Sequence, residues 1–471
     1  MEAVKLGEPL PEILKACRKV YFIGIGGAGM SSLARVMKHL GYAVSGSDCS
    51  RTKVTEQLAS EGMTVYYSQS GPNFGDEDLI IYSSAIQPHH PELSAARHQG
   101  KNVLHRAQVL SALLNQAQTA IAVTGTHGKT TTTSMLSYVL TALGSEPTCL
   151  VGGMVKNFGT NTLLGNRNLW ISEVDESDRT HELYYPHYAV VTNLEEEHMD
   201  HYSNFDSLKQ SFVKFFGNLH NPGMLIYCAD DALVSQLVKQ SKKPAVSYGF
   251  SETADFSVRD VEENGFMTSF DVYEYGFFCG RFSISIPGRH NVLNSLAVIA
   301  LLVQLGVDVE KIRAVIGGFQ GAGRRLDIKW KSRDLIIVDD YAHHPTEIRA
   351  SLQALRSMGR PLTVVFQPHR FSRTQRMYRE FANALDEIDE LILTDIYAAG
   401  EAYDDKVNVR SIYEEMVQSG RLHVKVLLKE KITGYLLEHP QRQGVVAFIG
   451  AGDIGDTADE FAVRYQSLLT A

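Results

Sequence analysis

Short apolar runs that end at glycine-bearing turns, each followed by a longer stretch of mixed polarity, recur along this chain and predict alternating strands and helices. In "VYFIGIGGAGMSS" the run Val20–Ile23 has strand character, the glycines allow a tight turn, and Met30–Leu40 reads as a helix. "YAVSGSD" adds an apolar stretch closed by Asp48, and "DLIIYSSAI" a later strand and loop. A first α/β block therefore runs from Val20 to about Asn115. A second opens at "TAIAVTGTHGKTTTTSMLSYVLTAL", a strand, a turn and a long helix, and closes near "GAGRRLD". A third starts at "DLIIVDDYAHHPTEI" and alternates through "PLTVVFQPHR", "ELILTDIY", "HVKVLL" and "GVVAFIGAGDIG", the pattern of a parallel doubly wound sheet. The expected domains are residues 1–115, 116–325 and 326–471, with no fixed-period repeat or low-complexity tract.

Composition narrows the class. The chain has 471 residues, 44% hydrophobic and 21% charged, as in a soluble globular protein of several domains. No stretch approaches a membrane span, and the start, "MEAVKLGEPLPEILKACRK", lacks the apolar segment of a secretory signal. Five scattered cysteines without a C-x-x-C pair read as reduced thiols, so the expected compartment is the cytoplasm and a structural zinc is disfavoured. A net charge of -9 argues against nucleic-acid binding, yet leaves room for a local cationic pocket that takes anionic small molecules.

Two loops carry candidate chemistry. Gly24, Gly26 and Gly29 stand in the spacing G-x-G-x-x-G between a strand and a helix, with Asp48 where an acid meets a ribose in dinucleotide folds. The same residues fit a nicotinamide cofactor, another nucleotide's phosphates, or a turn that packs a helix on a sheet. In "VTGTHGKTTTT", Gly125, Gly128, Lys129 and Thr130 are placed as in an ATP-type P-loop: amides for phosphates, a lysine for the terminal phosphates and a hydroxyl for magnesium. Val123 stands where the full motif has its first glycine. Magnesium needs hard oxygen ligands. The acids of "LWISEVDESD" (Glu173, Asp175, Glu176, Asp178) and of "NLEEEHMDHY" (Glu195, Glu196, Glu197, Asp200, with His198) follow strands at the carboxyl edge, although acid clusters are also common in solvated loops. A dehydrogenase has no use for a P-loop, whereas an enzyme that joins two substrates at the expense of ATP needs both loops.

"GIGGAGMSSLA", "GSD", "SSAI", "TGTHGKTTTTSML", "VDESD", "HMDHY", "PGRHNVLNSLAVIA", "GAGRRLD", "DDYAHHPTEI", "FQPHRFSRT" and "GAGDI" occur in the order seen in the Mur ligases, and the chain resembles that family from about Val20 to Gly455. The resemblance implies a Rossmann-like N-terminal domain for a UDP sugar, a central P-loop ATPase domain and a Rossmann-like C-terminal domain that places an amino acid. It implies ATP and Mg2+ as cofactors, with UDP-N-acetylmuramate and L-alanine as substrates, in a monomer or weak homodimer. A related ligase that recycles peptides onto the same sugar nucleotide is the nearer alternative, and an NAD-dependent oxidoreductase the more distant one.

Carried over residue by residue, the resemblance assigns Gly24, Gly26, Gly27, Ala28, Gly29, Met30, Asp48, Ser83, Ser84 and Arg106 to the UDP sugar. It assigns Gly125, Thr126, His127, Gly128, Lys129, Thr130, Thr131, Asn291, Asn294 and Arg324 to ATP, and Thr130, Glu173 and His198 to magnesium. Tyr341, His343, His344, Arg370 and Arg373 fall to the amino acid, and Lys129, His198, His343, Arg370 and Arg373 to catalysis. Read without the family, His343 and His344 before Pro345 could equally mark a helix start, and the arginines of "HRFSR" surface charge. Two departures from the family pattern stand out: Glu197 in place of aspartate, and "RTHELYYPH" after "DESD". Lys209 and Lys214, downstream of His198, are lysines that the sequence does not connect with carbamylation.

Overall fold

The structure is a computed structural model that describes residues 10–196, 202–404, 406–421, 423–439 and 444–470. His198, with Glu197 and Asp200, lies outside the described residues. The chain divides into two compact units, one of residues 1–259, 272–280 and 293–316, the other of 260–271, 281–292 and 317–471.

In the first unit, β1 (Lys19–Ile23), β2 (Ala43–Ser47), β3 (Thr64–Tyr66), β4 (Leu79–Tyr82) and β5 (Asn102–His105) form a parallel sheet in the order β3-β2-β1-β4-β5. Order reverses beside β1, and such a switch point opens a ligand crevice at the carboxyl ends of the strands. The helix after β1 spans Ala28–His39, two residues earlier than the apolar pattern suggests, because its first turn is the glycine loop itself. Met30, Leu33, Ala34 and Met37 pack it onto Val20, Phe22 and Ile81.

The second sheet contains β6 (Thr119–Thr124), β7 (Thr148–Val155), β8 (Thr160–Leu163), β9 (Leu169–Glu173), β10 (Tyr188–Val191), β11 (Met224–Cys228), β12 (Ala245–Gly249), β13 (Phe256–Asn264), β14 (Met267–Glu274) and β15 (Phe277–Ile284), in the order β15-β14-β13-β12-β11-β10-β6-β9-β7-β8. Strands β13 to β15 stand outside the expected α/β alternation; short turns at Gly265 and Gly276 join them. Along β14 buried residues alternate with more exposed ones from Met267 to Tyr273, the period of a sheet with one wet face.

In the second unit, β16 (Asp327–Lys331), β17 (Leu335–Asp340), β18 (Leu362–Phe366), β19 (Glu390–Leu393), β20 (Val424–Val426) and β21 (Gly444–Ile449) are ordered β16-β17-β21-β18-β19-β20. The sheet is parallel apart from β16, an antiparallel edge strand that the apolar pattern does not announce because its residues are only half-buried. Strands β17, β18 and β21 are buried on both faces, as continuous apolar runs flanked by helices should be. Among the described residues no helix is long and apolar enough to cross a membrane.

Candidate active site

The loops after β1, β2, β4 and β5 bring Gly24–Met30, Asp48, Ser83, Ser84 and Arg106 to one edge of the first sheet. Gly24 and Ile25 donate their amides to the Ser47 carbonyl at 2.8 and 2.9 Å, Gly27 donates to the Gly24 carbonyl, and Gly26 donates to Asp48 Oδ2 at 2.9 Å. A Cβ at Gly26 would lie 2.7 Å from Thr55 Cγ2 and 2.8 Å from Asp48 Oδ2. The missing side chain thus makes room for Asp48 and Thr55. One step on, the amides of Ala28, Gly29 and Met30 begin a helix and have no intrahelical acceptor, the arrangement that suits an anion. The Arg106 guanidinium lies against Gly29, where any side chain would collide with it. Met30 can offer only its backbone, since its side chain is in the core. Ser84 bridges His105 Nε2, at 3.0 Å, and the Asp178 carboxylate; burial lowers the His105 pKa to about 4 and keeps it neutral.

Register builds the P-loop centre. β6 pairs with β9 so that Val123 faces Glu173, and with β10 so that Thr124 faces Val191. The residues that leave β9 and β10 therefore flank Gly125–Thr131. Gly125 has φ +124°, and Thr192 with the Asn193 backbone occupies the place of its missing side chain. Gly128, at φ 83°, starts the helix Lys129–Ala142. The Thr130 hydroxyl donates to Glu173 Oε1 at 3.0 Å, and the Gly152 amide holds Glu173 Oε2 at 2.7 Å. Thr132 donates to Asn294 Oδ1 at 3.2 Å, which ties the P-loop helix to the helix Arg289–Gln304; on that helix Asn291 donates to the Pro287 carbonyl at 2.7 Å. Thr126 and His127 are held by the β10 loop, through Glu195 N to Thr126 Oγ1 at 2.9 Å and His127 N to Asn193 Oδ1 at 2.8 Å. Threonine is a poor helix former, so four in succession serve their hydroxyls and packing rather than the helix.

Lys129 Nζ sits 2.9 Å from Glu176 Oε2 and donates to the carbonyls of Gly125 and Thr126. Burial opposes its charge, but Glu176 and Asp175 outweigh that and raise its pKa above that of a free lysine. Burial raises the Glu176 pKa to about 7, against the pull of Lys129 beside it. Glu176 thus leaves the acid cluster as the lysine's anchor. A buried acid three residues after a strand-end glutamate is the signal for it, but its partner is visible only in space.

The divergent "RTHEL" stretch is structural. His181 is fully buried against the rings of Phe212 and Phe215, and Glu182 pairs with Lys214 at 2.6 Å. Lys214 and Lys209, the latter beside Asp206, both serve the helix Phe205–Gly217. Burial lowers the His181 pKa from 6.5 to about 4. Between those values the unfolded chain binds a proton that the folded one refuses, so stability held above pH 6.5 is lost as pH falls toward 4. His181→Gln has no such proton. On acidification from pH 7 to 4, wild type should lose on the order of 2–3 kcal/mol relative to that variant in urea unfolding. Parallel curves for the two proteins would remove the burial argument.

In the second unit, β17 and β18 both pair with β21, so the segments after all three strands meet at one edge. Arg324 spans it: Nε lies 3.2 Å from Asp339 Oδ2, Nη1 donates to the Gly452 carbonyl and Nη2 to the Gly450 carbonyl, with the guanidinium 5.0 Å from the Tyr341 ring centre. The phosphate contact expected of Arg324 would compete with Asp339; in this structure the arginine organises the edge. His344 caps the helix Pro345–Arg356 through Nδ1, and Glu347 accepts the amides of His343 and His344, so the helix-start reading holds for His344. His343 turns its Nδ1 to the Tyr341 carbonyl at 2.9 Å and its ring toward His369, 5.7 Å away. Arg373 lies 3.3 Å from His369 Nδ1, and Arg370 starts the next helix with φ 72°. Burial, then His343 and the arginines, drive the His369 pKa down to about 3. His369 is therefore a neutral imidazole inside a cationic cluster. Sequence reasoning passed over it, and over Gln367, which holds Asp453 at 2.8 Å and the Ile454 amide at 3.1 Å; both lie in the quoted "FQPHRFSRT".

Three family descriptions match the chain in succession: "Mur ligase family, catalytic domain" over residues 19–118, "Mur ligase middle domain" over 123–302 and "Mur ligase, glutamate ligase domain" over 324–452. A UDP-N-acetylmuramate–L-alanine ligase of Geotalea uraniireducens is 39% identical over 93% of this chain and 95% of its own length. Its counterpart in Geobacter sp. strain M21 is 38% identical over 95% and 98%. Among solved structures, UDP-N-acetylmuramate-alanine ligase from Thermotoga maritima superposes with a TM-score of 0.84 at 30% identity, covering 95% of this chain and 99% of that one. A murein peptide ligase from Psychrobacter arcticus shares the fold, with a TM-score of 0.69 at 22% identity over 96% and 98%.

Proposed function

The chain belongs to the Mur ligase family, and from that premise we infer that it is an ATP-dependent ligase that joins L-alanine to the lactyl carboxylate of UDP-N-acetylmuramate in peptidoglycan precursor synthesis. The observation that carries this reading is the near full-length match, at 39% identity, to relatives that bear that activity in their names. The peptide-recycling alternative has fold neighbours at 22% and 27% identity, the latter over 66% of this chain. The family assignment removes the oxidoreductase reading.

Charge sets the mechanism. A carboxylate is a poor acyl donor, so it takes the γ-phosphoryl of ATP with release of ADP, and the amine of L-alanine attacks the carbonyl of the acyl phosphate, expelling phosphate and giving up a proton. Lys129 supplies positive charge to the transferred phosphoryl. The Thr130 hydroxyl and the Glu173 carboxylate, 3.0 Å apart, are hard oxygen donors that suit magnesium, with His198 as a further ligand. Magnesium, when bound, neutralises phosphate oxygens. The first helical turn after the glycine loop, with Arg106, takes the diphosphate of the UDP sugar. Tyr341, His343, Arg370 and Arg373 receive the amino acid and its developing charge, and neutral His369 holds Arg373. We assign residues 1–115, 116–325 and 326–471 to these three tasks and place the enzyme in the cytoplasm, where ATP and reduced thiols coexist.

ADP release with UDP-N-acetylmuramate, ATP and L-alanine, each omitted in turn, tests the reading: release should require all three. Release without the sugar nucleotide, or with a peptide in place of L-alanine, overturns it. Gly26→Val should weaken UDP-N-acetylmuramate by at least about tenfold, because the side chain displaces Asp48 and Thr55 beneath the loop, and leave a non-hydrolysable ATP analogue within about twofold. Calorimetric titration of both ligands and of NAD reads this. Tight NAD binding to wild type, or loss of the ATP analogue in the variant, contradicts it.

A further inference from the structure

Glu92 is fully buried, and among the described residues no lysine, arginine or histidine pairs with it. Its donors are neutral: the Tyr21 hydroxyl at 2.6 Å and the Asn73 amide at 2.9 Å on Oε1, and the Ser47 hydroxyl on Oε2. Gln69 donates to the same Ser47 hydroxyl at 3.0 Å. A carboxylate without a counter-ion in a protein interior is costly, and it persists where its hydrogen bonds are complete. The three donors come from β1, from the end of β2 and from the loop before β4; β1 and β2 are already paired in the sheet, and Glu92 joins that pair to the loop. Glu92 itself sits in the first turn of the helix Pro91–His98, where the helix dipole favours a negative charge.

What the network holds is the glycine loop. Ser47, fixed through its side chain by Glu92, uses its carbonyl to accept both Gly24 and Ile25 amides, and the next residue, Asp48, accepts the Gly26 amide. Three consecutive amides of the loop thus rest on the end of β2, whose backbone pairs with β1 and β3 and whose Ser47 side chain is held by Glu92. We propose that Glu92 is a positioning residue for the nucleoside-diphosphate sugar: it locks the end of β2 so that the glycine loop presents the Ala28–Met30 amides at the right place. It touches no ligand itself, and it acts through Ser47. The inference rests on the first domain binding a UDP sugar, as proposed above.

Glu92→Gln keeps the shape but puts an amide donor among donors. It should raise the KM for UDP-N-acetylmuramate by about tenfold, with the KM values for ATP and L-alanine and the kcat at saturating sugar nucleotide within about twofold of wild type. Ser47→Ala cuts the link from the other side and should give the same selective rise. Because the two residues act as one unit, the double variant should be no worse than the worse single one. Thermal melting monitors the fold, and Ser47→Ala together with Tyr21→Phe carries the test if Glu92→Gln does not fold. An unchanged sugar-nucleotide KM in folded Ser47→Ala, additive effects in the double variant, or an equal rise in all three KM values overturns the proposal. Absence of any UDP-N-acetylmuramate dependence in wild type overturns instead the functional reading on which it rests.

Discussion

Lys129→Ala is expected to lower kcat for ligation by about a thousandfold or more, since no other side chain brings positive charge to the P-loop from within it. The fold will feel the change as well. Glu176 is 1% exposed and loses its counter-ion, a defect that costs about 3–5 kcal/mol in buried pairs. The single variant should therefore melt early, with Glu176 taking up a proton near neutral pH. Lys129→Ala combined with Glu176→Gln separates the two roles: it should recover most of the melting temperature and none of the ADP release. If the folded double variant turns over at the wild-type rate, Lys129 is a scaffold residue and the P-loop assignment fails.

Glu173→Ala should lower kcat by about a hundredfold and raise the magnesium concentration needed for half-maximal ADP release, because the carboxylate beside Thr130 is the charged oxygen donor held at the P-loop by the register of β6 and β9. The Gly152 amide holds the second oxygen, which fixes the orientation of the carboxylate. Glu173→Gln, which keeps the shape and one acceptor oxygen but not the charge, should share the defect. Magnesium titrations that coincide for wild type and Glu173→Gln would move this residue from metal binding to P-loop support.

Much of the active site was legible along the chain because its parts are local. A strand, a glycine turn, a lysine and a helix start are contiguous in "VTGTHGKTTTT", and the fold places Gly125, Gly128, Lys129 and Thr130 as that order demands. The acids after β9 were legible as a group for the same reason. Their division of labour was not: Glu173 reaches Thr130 while Glu176 reaches Lys129, and only the turn after β9 decides which goes where. Roles read from motifs also shifted when neighbours arrived. Asp48 accepts the Gly26 amide, Arg324 pairs with Asp339, and His344 caps a helix.

By itself, the sequence determined three α/β blocks, the glycine and P-loops at strand ends, and the family, because apolar periodicity and turn chemistry act over a few residues and are written contiguously. The tertiary structure alone decided the antiparallel edge strand β16, the buried networks around Glu92 and Glu176, and the neutral state of His369 among arginines. Each depends on which distant segments share a low-dielectric interior, where a charge is tolerated only in the company that folding provides.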